Sequence, residues 1–151
     1  MKILIGCDHA GYELKKALLP FFKEMGIEVR DVGTDKPDAV DYTDYGEIVS
    51  KEISEGRAEK GILICGTGIG MSIVANKFPG VRASLCSDVY TAKMSRLHND
   101  ANILVMPGRL IGVELAKEIV RVWFSTPFEG GRHKKRIEKI MNIERKIKEK
   151  C

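Results

Sequence analysis

The sequence predicts an α/β protein built on one doubly wound sheet of five parallel strands, with helices on both faces. Three observations predict it. Short runs rich in Ile, Leu and Val recur five times along the chain, and each is followed by a stretch with helical amphipathic spacing. Strands that alternate with helices of one length class pair in parallel, because each crossover helix carries the chain back before the next strand begins. Finally, 151 residues with 44% hydrophobic content suffice for one packed core and are too few for two ordinary ones.

Each element has its own justification. The run Lys2-Ile3-Leu4-Ile5 reads as the first strand. Residues 12–25 follow as a helix with Leu14, Leu18, Phe21 and Phe22 on one side, although Pro20 is a local cost to it. Residues 27–32 make the second strand, and a polar loop through Asp38, Asp41 and Tyr42 leads to a helix over 44–55 carrying Tyr45, Ile48, Val49 and Ile53 inward. The third strand, Gly61-Ile62-Leu63-Ile64-Cys65, runs into a glycine loop and a helix. Then come a strand at 82–86, a helix at 89–97, a strand at 103–106, a helix at 113–124, and a last, basic helix from about 133 to 150. No repeat or linker interrupts the series, so residues 1–151 are expected to form a single Rossmann-like domain.

Composition excludes several classes. The net charge of +4 is mild and is concentrated in the C-terminal fifth, around Arg132, His133, Lys134, Lys135 and Arg136 and again at Lys146, Lys148 and Lys150, so no nucleic-acid partner is expected. The longest uncharged run, 61–76, falls short of the roughly 20 apolar residues that span a bilayer, and no membrane partner is expected either. The N-terminus lacks the apolar region of a secretory signal, which points to a cytoplasmic protein. Cys7, Cys65, Cys86 and Cys151 show no C-x-x-C spacing, so neither a disulfide framework nor a zinc knuckle is supported. Cys7 and Cys86, at the ends of apolar runs, read as small buried hydrophobes.

Ligands of doubly wound sheets bind outside the carboxyl ends of the strands. Here those ends are Cys7-Asp8-His9, Cys65-Gly66-Thr67, Ser87-Asp88 and Pro107-Gly108-Arg109. Gly66, Gly68 and Gly70 between a strand and a helix allow backbone N–H groups to line an anion-binding concavity. A dinucleotide fingerprint fits poorly, because Met71 stands where its third glycine belongs, although Asp88 lies about twenty residues beyond Gly68. A nucleotide P-loop would need a lysine before Ser72, and a cysteine phosphatase would need an arginine at Met71. What remains is a thiol at the mouth of an anion loop, poised as base or nucleophile. If the anion is transient, the amides form an oxyanion hole for an enediolate, which is isomerase chemistry.

Five motifs in order then resemble the type B ribose 5-phosphate isomerases and the related sugar-phosphate isomerase family. They are Gly6-Cys7-Asp8-His9-Ala10-Gly11, Asp41-Tyr42, Cys65-Gly66-Thr67-Gly68-Ile69-Gly70, residues 96–102 around His98-Asn99, and Arg132-His133-x-x-Arg136. The resemblance runs from residue 3 to about 140. It implies that Cys65 moves the proton between C1 and C2, with Thr67 beside it and the amides of Gly66, Gly68 and Gly70 holding the enediolate. It implies further that His98 opens the furanose ring, that Asp8, His9, Tyr42 and Asn99 contact the sugar, and that Arg109, Arg132 and Arg136 take the phosphate. In another branch of the family a glutamate follows the glycine loop as base; here that position is Met71. Cys7, where the family often has serine, and the basic tail from about 142 depart from the pattern without touching this chemistry.

The substrate expected is therefore a sugar phosphate, ribose 5-phosphate or ribulose 5-phosphate. A six-carbon allose or galactose 6-phosphate is the rival, and a non-catalytic sugar-phosphate-binding domain is the alternative outside enzymes. No cofactor and no metal are expected, since the amides supply the electrophile and the three histidines lie far apart in sequence. His98 closes a helix that runs away from the edge holding Cys65, about 14 Å for its nine or so residues. A homodimer whose sites each take Cys65 from one chain and His98, with Asn99, from the other is the simplest resolution, whether or not dimers pair into tetramers. Ile137, Ile140, Met141 and Ile147 on the last helix offer an apolar seam for it.

Overall fold

A computed structural model describes residues 1–151. The chain runs β1 (Lys2–Cys7), α1 (Tyr12–Glu24), β2 (Glu28–Asp31), α2 (Tyr42–Ser54), β3 (Gly61–Cys65), α3 (Ile69–Ala75), β4 (Ala83–Leu85), α4 (Val89–Leu97), β5 (Ile103–Pro107), α5 (Val113–Ser125) and α6 (Arg132–Glu149). All five strands are parallel and join one sheet in the order β2-β1-β3-β5-β4. Crossovers between parallel strands are right-handed, so the direction of each step along the sheet fixes the face its helix covers. The steps β1 to β2 and β4 to β5 run one way and place α1 and α4 on one face. The steps β2 to β3 and β3 to β4 run the other way and place α2 and α3 opposite.

The two cores confirm this division. One joins Ile3, Ile5, Ile62, Ile64, Leu104 and Met106 of the sheet to Leu14, Leu18, Phe21 and Phe22 of α1, Ala92 of α4, and Ala116, Ile119, Val120 and Trp123 of α5. The other joins Leu4, Leu63, Cys65, Ile103 and Val105 to Val49 and Ile53 of α2 and Met71 and Ala75 of α3. Strand residues thus alternate between cores with the period of two that a doubly covered sheet requires. The helices that leave β1, β3 and β5 alternate in face, which opens a crevice on either side of the carboxyl end of β3.

Pro20 sits on the exposed side of α1, where water can serve the carbonyl that its missing N–H leaves free. The expected inner stripe of α2 needs correction. Ile48 is 42% exposed, and the buried positions are Gly46, Val49, Ser50 and Ile53, a strict i, i+3, i+4, i+7 row. The reason is close helix packing: a Cβ on Gly46 would already stand 3.1 Å from Met71 Sδ and from Val74. A small residue therefore takes an inward place that hydrophobicity alone assigns to isoleucine. The same helix starts at Tyr42 rather than residue 44, with Asp41 at its N-cap.

Candidate active site

The carboxyl edge of the sheet gathers most of the predicted site. After β1, Asp8 turns the chain: its Oδ1 accepts the N–H groups of Ala10 at 2.9 Å and Gly11 at 3.1 Å, and the residue is 6% exposed. The N–H of Val40 donates to His9 Nδ1 at 3.2 Å, so neutral His9 carries its proton on Nε2 and presents a donor. Cys65 ends β3 in register with Pro107 of β5. Beyond that pair, Gly108 N–H donates to the Cys65 carbonyl at 2.8 Å and Arg109 N–H to the Gly66 carbonyl at 3.0 Å. These bonds strap the loop after β5 over the glycine loop and hold the Arg109 side chain against Gly66.

Gly68 is the N-cap of α3 with φ +78°, a left-handed conformation in which a side chain would also collide with Leu85. Thr67 Oγ1 accepts the N–H of Ile69 at 3.3 Å, fixing the loop from within. The Tyr42 ring lies so close against the loop that a Cβ at Gly70 would stand 2.5 Å from its Cε2. Thus Asp8, His9, Tyr42, Cys65, Gly66, Thr67, Gly68, Gly70 and Arg109 share one edge. Cys65 is 5% exposed and packs in the α2/α3 core, while Met71 is wholly buried there and fills space.

Two other thiols behave as expected. Cys7 is buried, and desolvation pushes its pKa up to about 11, against a smaller opposing pull from the Lys15 ammonium. Burial likewise raises the Cys86 thiol. Asp88, the acid a dinucleotide site would need, accepts the Thr91 N–H at 2.7 Å as the N-cap of α4.

His98, Asn99, Arg132 and Arg136 are placed elsewhere. His98 is the C-cap of α4, and the chain then passes through Asp100, at φ +46°, to Asn102, whose carbonyl accepts Gly61 N–H at 3.0 Å where β3 begins. These residues therefore flank the amino end of β3 while Cys65 stands at its carboxyl end, about 13 Å of strand away. The start of α6 joins them, because Glu129 N–H donates to the Leu97 carbonyl at 3.1 Å. The His98 and His133 rings stack with centroids 4.1 Å apart at 14°. Arg136 Nη1 lies 3.4 Å from His133 Nδ1. Glu129 adds to the residues that the sequence singles out; the signal for it is its i, i+4 spacing from His133 of the Arg132 motif. A groove of about 780 Å³ lies beside this second cluster, between α6 and the turn before β4, and not at Cys65.

Comparison with known proteins bears on both clusters. A family model described as Ribose/Galactose Isomerase matches residues 3–140. The ribose-5-phosphate isomerase B of Escherichia coli is 48% identical over 145 residues, covering 96% of this chain and 97% of that one. The structure of Clostridium thermocellum ribose-5-phosphate isomerase B superposes with a TM-score of 0.94 at 50% identity, covering 97% of this chain and 99% of that one. A Mycoplasma genitalium ribose-5-phosphate isomerase B solved with bound ribulose-5-phosphate gives a TM-score of 0.92 at 38% identity, over 95% and 96% of the two chains. The matched span takes in both ends of the sheet, the thiol with its glycine loop and the histidine–arginine cluster alike, and the chain belongs to the ribose/galactose isomerase family.

Proposed function

We propose that this chain is an aldose–ketose isomerase that interconverts ribose 5-phosphate and ribulose 5-phosphate. The observation that carries the mechanism is Cys65 at the carboxyl end of the central strand, followed at once by the left-handed Gly68 loop. With the linear aldose bound, the Cys65 thiolate removes the proton on C2. The electron pair moves to form the C1–C2 double bond, and the charge on O1 is met by the amides of the 66–70 loop, aimed there before the reaction begins. The thiol then returns the proton to C1 as the O2 proton passes to O1, leaving the ketone at C2. His98 opens the furanose ring, Asp8, His9, Tyr42 and Asn99 contact the sugar hydroxyls, and Arg109, Arg132 and Arg136 hold the phosphate dianion.

These residues cannot meet within one chain, since two clusters stand at opposite ends of β3. A homodimer supplies the juxtaposition: Asp8, His9, Tyr42, Cys65, the glycine loop and Arg109 from one protomer, with His98, Asn99, Arg132 and Arg136 from its partner. Exposed apolar side chains on the elements carrying both clusters support this pairing: Ile69 and Ile73 on α3, and Ile140, Ile143 and Ile147 on α6, range from 48% to 61% exposed. The whole chain acts as one unit in this assembly. A cytoplasmic setting suits its free thiols; no helix is long and apolar enough to cross a membrane.

A coupled assay with five- and six-carbon aldose phosphates tests the reading. Turnover is expected on ribose 5-phosphate and is to survive chelation, because the amides serve as the electrophile. Preference for allose or galactose 6-phosphate would move the chain to the hexose branch, and turnover on none of them would leave a binding domain.

A further inference from the structure

The second cluster holds three ligating atoms whose arrangement the proposed isomerisation does not explain. Glu129 Oε2 lies 3.8 Å from His98 Nε2 and 3.8 Å from His133 Nε2. All three ligand atoms fall within 4.8 Å of one another. His133 is 4% exposed, and its Nε2 is buried without a hydrogen-bond partner although it faces this cluster. A buried ring nitrogen left unpaired is costly, and native structures seldom keep one without a reason.

We propose that His98, Glu129 and His133 form a binding site for a divalent transition-metal ion, with zinc as the best fit, and that the ion inhibits the enzyme. Two imidazoles and one carboxylate suit a borderline-soft ion that accepts four ligands, whereas calcium and magnesium call for six or more oxygens. The fourth position stays open for water. Tetrahedral bonds of about 2.0–2.2 Å place ligand atoms about 3.3–3.5 Å apart, so each must draw in by about 1.5 Å at most. The freedom for that is unequal. The His133 side chain is 5% exposed and fixed, while those of His98 and Glu129 are 37% and 51% exposed. His98 has to tilt out of its stack, because the lone pairs of two parallel rings run side by side rather than converge.

Ligation through His133 Nε2 moves the ring proton to Nδ1, where Arg136 now points a guanidinium N–H, so exposed Arg136 turns away. Arg132 and Arg136 also repel a cation, which makes this a reversible site rather than a structural one. All three ligands come from one chain and are tied together by the Glu129 N–H bond to Leu97. Inhibition, unlike binding, rests on the proposed role of His98: an ion on Nε2 removes His98 from ring opening.

The test uses the full-length protein with cobalt(II) as a spectroscopic probe and zinc by calorimetry. One equivalent per chain is expected, with visible cobalt bands and no thiolate charge-transfer band. Glu129→Gln and His133→Asn are each expected to weaken zinc binding by at least the roughly 10–100-fold seen for loss of an outer-shell partner. Cys65→Ala is expected to leave binding unchanged. Zinc is expected to inhibit turnover and EDTA to reverse it. Glu129 is exposed, so Glu129→Gln remains decisive even if His133→Asn fails to fold. Absence of binding, unchanged affinity in Glu129→Gln, or a thiolate band that disappears with Cys65→Ala would overturn the site. Zinc bound at these residues without inhibition would uphold the site and count against His98 in ring opening.

Discussion

Cys65 and Cys7 end neighbouring parallel strands, yet they stand in different environments, and the proposed mechanism uses only Cys65. Cys65 meets the left-handed loop, and Cys65→Ala is expected to lower kcat about 100- to 10,000-fold, the usual cost of losing a general base, while a phosphate-bearing inhibitor binds nearly as before. A variant that isomerises linear substrate at the parent rate rules Cys65 out. Iodoacetamide is expected to label exposed Cys151 without effect and to inactivate through Cys65, with bound substrate protecting. Cys7 answers a different measurement. Its pKa stands at about 11 in the fold against 9.0 as reference, so between those values the folded state holds a proton that the unfolded chain releases. The associated stability is whole below pH 9 and is lost as pH rises through 11. Denaturant titrations are expected to show about 2 kcal/mol less stability at pH 11 than at pH 9 from this group, with Cys7→Ala flattening that limb. An unchanged limb in the variant would assign the loss to other groups.

At the level of the element, the short helix α3 begins on Gly68, and its geometry separates backbone strain from collision. Gly68 and Gly56 both have positive φ, at +78° and +72°, but only Gly68 has a neighbour, Leu85, in the path of a Cβ. Gly56→Ala is therefore expected to cost only the left-handed strain, about 1–2 kcal/mol, with activity intact. Gly68→Ala adds the collision and displaces the loop amides, so it is expected to lose more stability and to depress kcat more than KM. Urea melts alongside steady-state kinetics on both variants check this pair; equal behaviour would mean that the loop tolerates displacement.

For the whole molecule the sheet sets the question, because it keeps Cys65 and His98 on opposite edges of one chain. Mixing inactive Cys65→Ala and His98→Asn proteins is expected to restore activity, since one site of each heterodimer inherits both intact residues. No recovery after subunit exchange, demonstrated by mass, sinks the shared site. Ile143 is 57% exposed on α6, on the face that the proposed dimer would cover. Ile143→Lys is expected to keep its helical content, to sediment as a smaller species and to lose activity in a concentration-dependent way.

Periodicity and spacing by themselves determined the strand–helix alternation, because amphipathic patterns are local and 3.6-fold and two-fold repeats are easily told apart. They also placed the Cys65 thiol and the glycine loop together, because a strand followed by Gly66-Thr67-Gly68 must deliver its last side chain and its next amides to one edge. The tertiary structure decided what depends on distance across the chain. It turned Gly46 rather than Ile48 inward, since helix-to-helix spacing, not hydrophobicity, governs that contact. It used Asp88 as a helix cap. Most of all, it brought His98 and His133, thirty-five positions apart, into a stack with Glu129 beside them, because the bond from Glu129 to Leu97 anchors the start of α6 to the end of α4. No local pattern encodes that meeting; it follows from strand order, which sends α4 and α5 along the same face and returns the chain to the amino edge of the sheet.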